Sequence, residues 1–197
     1  CQRSFMGGMG AQVDGPWIDI AKGTFDFTAK TVVQGAVTWP HTFSATVTGA
    51  TRNVTSNGLP EHKTGTFPIA ANDPAYAYDR NPNTIAEQAR SWALPANPSI
   101  ASLPGCLPGG PIGILLTGAV LFNALDADGR DALAHEAQDA CQAHPERSGA
   151  YHYHSATDCI ADPGTGHSAL LSYALDGFGN YGLRGEGGKV LTNADLD

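Results

Sequence analysis

The chain has 197 residues, 42% of them hydrophobic and 15% charged, with a formal net charge of −8; this is single-domain size with enough apolar content to bury one core. No Lys/Arg run or basic stripe offsets the acidic balance, which argues against nucleic acid or an anionic membrane surface as partner. The longest apolar run, Ile112 to Phe122, is broken by Gly113, Thr117 and Gly118 and is shorter than the about 20 residues needed to span a bilayer.

The first residue is Cys1, with no initiator Met and no signal sequence, so the expectation is a processed, exported product: periplasmic, cell-surface lipoprotein or extracellular. Residues 1–15 are expected to form an N-terminal tether through Met6-Gly7-Gly8-Met9-Gly10. Either the Cys1 thiol carries lipid, the sole route to a membrane, or it forms a disulfide. Four cysteines in an exported chain favour bridges, and Cys141 with Cys159 is the first pair to draw. Cys1 with Cys106 then closes the arithmetic; a lipidated Cys1 leaves Cys106 needing a partner from elsewhere.

Residues 16–50 form a β-rich entry region and 51–197 a motif-bearing region of the same domain. From Trp17 to Thr55 apolar and polar residues alternate, as in Thr24-Phe25-Asp26-Phe27-Thr28 and Phe43-Ser44-Ala45-Thr46-Val47-Thr48, the period of half-buried strands. Ser56-Asn57-Gly58-Leu59-Pro60-Glu61-His62 reads as a tight turn. A long Pro/Asn-rich connection follows through Pro108, interrupted by a short helix near Thr84 to Trp92. Gly110 to Phe122 predicts a buried strand. Asp128 to Cys141 is the best helix, with Asp131 or Asp128 as N-cap; on it His135 and Asp139 would share a face. A strand through Tyr151-His152-Tyr153-His154, a loop over Pro163 to Gly166, a strand from Ala169 to Leu175 and a turn from Asp176 to Gly182 complete the chain. With 24 Gly and 13 Pro, the expected fold is α+β and β-rich: a single domain with a mixed or antiparallel sheet, one or two short helices and long Gly/Pro-rich loops.

Alternate residues of a strand point the same way, so His152 and His154 leave one face together, roughly 6–7 Å apart along the strand, while Tyr151 and Tyr153 occupy the other. That is a metal-ligand arrangement. His144 lies just upstream, and one of His62, His135 or His167 is expected to join. Such a His-rich site suits copper or zinc, and calcium fits less well. Asp139 and Asp176 are expected to orient the rings from behind. If the protein is an enzyme, an open metal position would activate water, with Glu61 or Glu136 as proton shuttle, or copper would support redox chemistry. Metal binding without turnover is equally open. A non-enzymatic alternative is a structural subunit of a cell-surface or extracellular assembly, self-associating through strand edges.

Other motifs fall short. His135-Glu136 starts like the helix of zinc proteases but has Asp139 where the second His belongs. Asp126 to Asp131 resembles part of a calcium loop, yet Ala137 occupies its twelfth position. Gly166-His167-Ser168 lacks the second Gly of a nucleophile elbow, and no Gly-rich stretch fits a nucleotide fingerprint.

In order along the chain, Ser56 to His62 resembles an S-N-G-L-P-D-H segment, Asp139-Ala140-Cys141-Gln142-Ala143-His144-Pro145 resembles D-x-C-G-G-H-P, Tyr151 to His154 is a Y-H-Y-H motif, and Gly166-His167-Ser168 and Asp176 to Gly182 resemble G-H-S and D-G-F-P-I-Y-G. Together they resemble the bacterial YHYH-domain proteins. The resemblance implies an exported domain built on the His motif and supplies no substrate or reaction. Gln142-Ala143 stands for the usual Gly-Gly, and Gly179-Asn180 for Pro-Ile. Leu191 to Asp197 resembles the family's lead-in to a further Cys- and His-containing segment, so either more ligands follow in a longer protein or this branch stops here.

Overall fold

The alternating N-terminal residues do form strands, but short ones. In the computed structural model, which describes residues 11, 13–103 and 105–195, β1 (Ile18–Asp19) and β2 (Thr24–Phe25) make a two-stranded ladder. The strands β3 (Phe43–Thr48), β4 (Thr51–Ser56) and β5 (Arg90–Pro95) form an antiparallel sheet in that order. The remaining strands build a six-stranded sheet: β6 (Pro111–Leu115), β7 (Val120–Phe122), β8 (Ala143–Pro145), β9 (Tyr151–Tyr153), β10 (Leu170–Ala174) and β11 (Gly179–Tyr181), in the order β11-β10-β6-β7-β9-β8. Every pairing in it is antiparallel except β7 with β9. Among the described residues, one short helix, α1 (Ala132–His135), and a few 3-10 turns complete a β-rich single domain.

Alternation sorts the large sheet into two faces. Ile114 and Val120 point to the side where Val54 and Leu94 of the three-stranded sheet meet them in a buried cluster. Leu115, Ala143, Tyr151 and Tyr153 point to the other side, against Leu59, Ile85 and Ala119. Burying each large aliphatic side chain contributes about 1.5–3 kcal/mol, so both faces of the sheet are held, as befits a sheet carrying a parallel pair.

Three expectations are corrected. The helix expected near 84–92 does not form: Ala86 N–H donates to the Gly149 carbonyl and Gln88 N–H to the Asn57 carbonyl, Ile85 enters the core, and the segment runs extended into β5. The helix expected from Asp128 to Cys141 is reduced to α1, capped by Asp131, whose side chain accepts from Ala134 N. Tertiary partners claim its continuation. Glu136 turns to ψ 142, Ala137 N–H donates to Asp79 Oδ2 at 2.9 Å, and Asp139 N–H to the Ala143 carbonyl, so His135 and Asp139 share no helix face. The strand expected over Gly110 to Phe122 is a hairpin, β6 and β7, whose turn at Gly118 has φ +93 and leaves a Cβ only 3.0 Å from the His41 ring and the Leu59 carbonyl; only glycine fits there.

Of the expected tether, residues 1–10 and 12 lie outside the described residues. Ala11 and Asp14 contact the body through Arg130 and His135. The Cys141–Cys159 disulfide is present, with Cα atoms 5.5 Å apart; the expected Cys1–Cys106 bridge rests on Cys1, outside the described residues. No helix among the described residues is long and apolar enough to cross a membrane.

Candidate metal centre

Three imidazoles gather at the β8–β9 edge of the large sheet. His144 pairs directly with His152 across the antiparallel β8–β9 ladder, so their side chains share a face; His154, two residues on, joins them. Two braces hold this edge. The side-chain amides of Asn81 and Asn83 donate to the Pro145 carbonyl at 2.9 and 3.2 Å, and the Cys141–Cys159 bond closes the loop that carries all three histidines. Gln142, at the head of that loop, has φ +61, the left-handed region that favours glycine. This is one of the two positions at which the chain departs from the Gly-Gly of the D-x-C-G-G-H-P pattern.

The hydrogen bonds fix the tautomers. His152 Nδ1 lies 3.1 Å from the Ala150 carbonyl oxygen and His154 Nδ1 2.6 Å from that of Asn123. A carbonyl only accepts, so each Nδ1 carries the proton and each Nε2 presents a lone pair. Those lone pairs face one another: Nε2 of His154 is 3.0 Å from Nε2 of His152 and 3.4 Å from Nε2 of His144. Glu136, brought in by the turn that ends α1, places Oε2 3.3 Å from His154 Nε2 and 3.4 Å from His144 Nε2. That buried oxygen has no hydrogen-bond partner. His144 Nδ1 also lacks one in good geometry, although the Ala137 backbone beside it favours its protonated form slightly.

Burial governs the charges. It pushes His152 down to about 3, with the neighbouring His154 adding to the effect, and holds His144 well below the usual imidazole range, helped by His152 and His154. His154 is lowered for the same reason, opposed by the Asn123 carbonyl and by Asp126 and Asp131. Burial likewise lifts Glu136 to about 8, reinforced by Asp126 and Asp79 and opposed by Lys30 and Arg130. All three rings are therefore neutral near pH 7, the state in which imidazole is a ligand. Phe122 stacks on His152 with ring centroids 4.0 Å apart, walling one side of the site.

The other expected residues lie elsewhere. His62 sits on the Tyr face of β9, its Nε2 2.5 Å from Tyr153 Oη and its Nδ1 2.9 Å from the Lys63 carbonyl. His135 pairs with Asp14 at 2.9 Å, pointing away from the triad although Glu136, the next residue, points in. His167 is exposed beside Tyr181. Asp139 is also on the Tyr face, accepting from Tyr151 Oη, Gly65 N and Cys141 N. Asp176 caps its exposed turn through Phe178 N, and Glu61 is exposed.

Sequence reasoning missed Phe122, the Asn123 carbonyl and the entry region's part in holding Glu136. Trp17 Nε1 donates to the Ala134 carbonyl at 2.8 Å, Val33 N–H to the Gln138 carbonyl, and Lys30 Nζ to Gln138 Oε1. No spacing rule signals a backbone carbonyl or a contact across a hundred residues. The pairing of an HE dipeptide with the downstream imidazoles was the available signal for Glu136.

A family model described as YHYH protein matches residues 91–193, just over half of the chain. Both β8 and β9, the α1 turn and all four residues of the cluster lie inside the match; the Ser56 to His62 segment and the bracing entry region lie outside it. No curated protein and no solved structure matches the chain. The chain thus belongs to the YHYH protein family.

Proposed function

We propose that this chain is an extracytoplasmic metal-binding protein in which His144, His152 and His154 hold one zinc or copper ion through Nε2, with Glu136 Oε2 as the fourth donor. The observation that carries this reading is the set of donor separations. Nitrogen donors bound tetrahedrally at about 2.0–2.1 Å stand about 3.3–3.4 Å apart; His154 Nε2 stands 3.0 and 3.4 Å from Nε2 of His152 and His144, the three imidazole nitrogens all lie within 4.8 Å of one another, and Glu136 Oε2 stands 3.3 and 3.4 Å from two of them, His154 and His144. Neutral imidazole lone pairs this close repel one another, and a cation between them converts that repulsion into four attractive contacts. The carbonyls behind His152 and His154 fix the rings in the ligand tautomer, as in known sites. The enclosure of the donors, with side-chain exposures of 4% for His144 and His154 and 12% for Glu136, suits a closed site that stores an ion or stabilises the fold better than one that turns over substrate. The disulfide supports a compartment outside the cytoplasm.

Elemental analysis of protein purified without added metal, beside the His152→Ala/His154→Ala variant, tests the reading. It requires about one zinc or copper per chain in the wild type and none in the variant; equal metal in both sinks it.

A second reading has one observation in its favour. Among the described residues, strand β3 pairs only with β4, carries no charge, and exposes Ser44 to Thr48, including Val47 at 59%; an open edge of that kind accepts a strand from another chain. Sedimentation that shows a monomer at all concentrations removes this reading and leaves the metal site untouched.

A further inference from the structure

The Tyr face of β9 carries a second group of donors. Cys141 Sγ, Cys159 Sγ and a His62 ring nitrogen all lie within 4.8 Å of one another, while the sulfurs are joined as a disulfide. We propose that reduction of this bond turns the group into a second metal site, with Cys141 and Cys159 thiolates and His62 as ligands for a soft ion, Zn²⁺ or Cu⁺. The site lies across the strand from the triad, shares no ligand with it and goes beyond the reading above.

Little has to move for an ion to enter. Thiolates bound at about 2.3 Å and an imidazole at about 2.0 Å stand roughly 3.5–3.8 Å apart around one ion, so the sulfurs must separate from bonding distance while His62 is already within reach. The backbone holds both cysteines after the bond opens: Cys141 N–H donates to Asp139 Oδ1 at 2.9 Å and Cys159 N–H to Thr157 Oγ1 at 3.1 Å. His62 has its Nδ1 proton on the Lys63 carbonyl, which leaves Nε2 with a lone pair, now accepting from Tyr153 Oη. Cys141 is buried, whereas Cys159 and His62 are half-buried, so a reductant reaches Cys159 and an ion enters from the same side.

The chemistry balances with a dithiol as reductant. Its thiolate attacks Cys159 Sγ, the S–S bond breaks with its electron pair leaving on Cys141 Sγ, and the second reductant thiol displaces Cys159; the dithiol becomes a cyclic disulfide and the protein gains two thiols. Binding Zn²⁺ then releases both thiol protons.

The test uses the 197-residue chain, a phosphine reductant removed before metal is added, and Co²⁺ as a probe, comparing wild type with the His152→Ala/His154→Ala variant and with His62→Ala. Oxidised wild type is expected to bind one equivalent and reduced wild type two. The double variant is expected to bind none when oxidised and one when reduced, with a near-ultraviolet thiolate-to-cobalt band that appears only on reduction. His62→Ala is expected to weaken that second equivalent at least tenfold and leave the first alone. A reduced double variant that binds no cobalt, binds it without the thiolate band, or loses its near-ultraviolet circular dichroism overturns the proposal, as does an unchanged affinity in His62→Ala. Failure of the triad reading shows separately, as loss of the equivalent in oxidised wild type.

Discussion

The two faces of β9 treat their polar groups in opposite ways. On the Tyr face the polar groups around the tyrosines have partners: Tyr151 Oη donates to Asp139 Oδ2 at 2.8 Å, and Tyr153 Oη meets Thr117 Oγ1 at 3.0 Å and His62 Nε2. On the His face three imidazoles and a carboxyl meet with lone pairs inward and Glu136 Oε2 unpartnered. Buried polar groups that satisfy one another specify a fold, whereas a buried cluster short of donors is incomplete without something positive. One strand of three residues thereby separates a hydrogen-bonded network from a cluster of inward-facing lone pairs.

Substitutions sharpen this contrast in order of size. The largest effect belongs to the ligands: in the oxidised protein, His152→Ala or His154→Ala is expected to abolish stoichiometric zinc or copper in a titration followed by calorimetry. Loading the wild type to about 1,000 times its Kd is expected to add about 4 kcal/mol, which for this chain length raises Tm by roughly 8–16 °C; both variants are expected to show no such rise. Glu136→Gln keeps the shape and loses the charge, so affinity is expected to fall at least about tenfold with one equivalent still bound.

The pH dependence separates the two states of the site. In metal-free protein the fold refuses protons on His152 down to about 3, while an unfolded histidine takes one up near pH 6.5; stability contributed there is lost as pH falls below about 6.5. Glu136 runs the other way: from about 4.5 to about 8 the fold retains a proton that the unfolded chain has released, so its contribution declines as pH rises through that window. Denaturation of metal-free protein across pH 4 to 9 is expected to show a maximum between these limits. Metal displaces the Glu136 proton, so affinity is expected to rise with pH up to about 8 and then level off. The smallest effect lies on the other face: Tyr151→Phe deletes one buried hydrogen bond to Asp139, expected to cost about 1–3 kcal/mol in denaturant titration without changing metal stoichiometry.

The sequence made the triad legible because period-two alternation depends only on local backbone geometry: once Tyr151 to His154 is a strand, His152 and His154 must share a face. The pairing of His144 with His152 needed only a tight antiparallel return between them, which the intervening Gly149 at φ +89 provides. Helix length was not legible, because its limits come from distant partners. Asp79 takes Ala137 N–H, the Trp17 indole takes the Ala134 carbonyl and Gln138 turns back to the Ala132 carbonyl, and none of these contacts leaves a local pattern. The same long-range contacts swing Glu136 into the site while His135 turns out to Asp14. A short run such as Thr84 to Gln88 reads as helical from composition, yet its backbone bonds go to Asn57 and Gly149, a tertiary override of a weak propensity.

The most direct test of the central claim is X-ray absorption at the metal edge of oxidised protein loaded with one equivalent of zinc. The expected result is a first shell of four nitrogen and oxygen donors at about 2.0 Å with the outer-shell scattering of three imidazoles. A shell containing sulfur at about 2.3 Å, or scattering from fewer than two imidazoles, would contradict it.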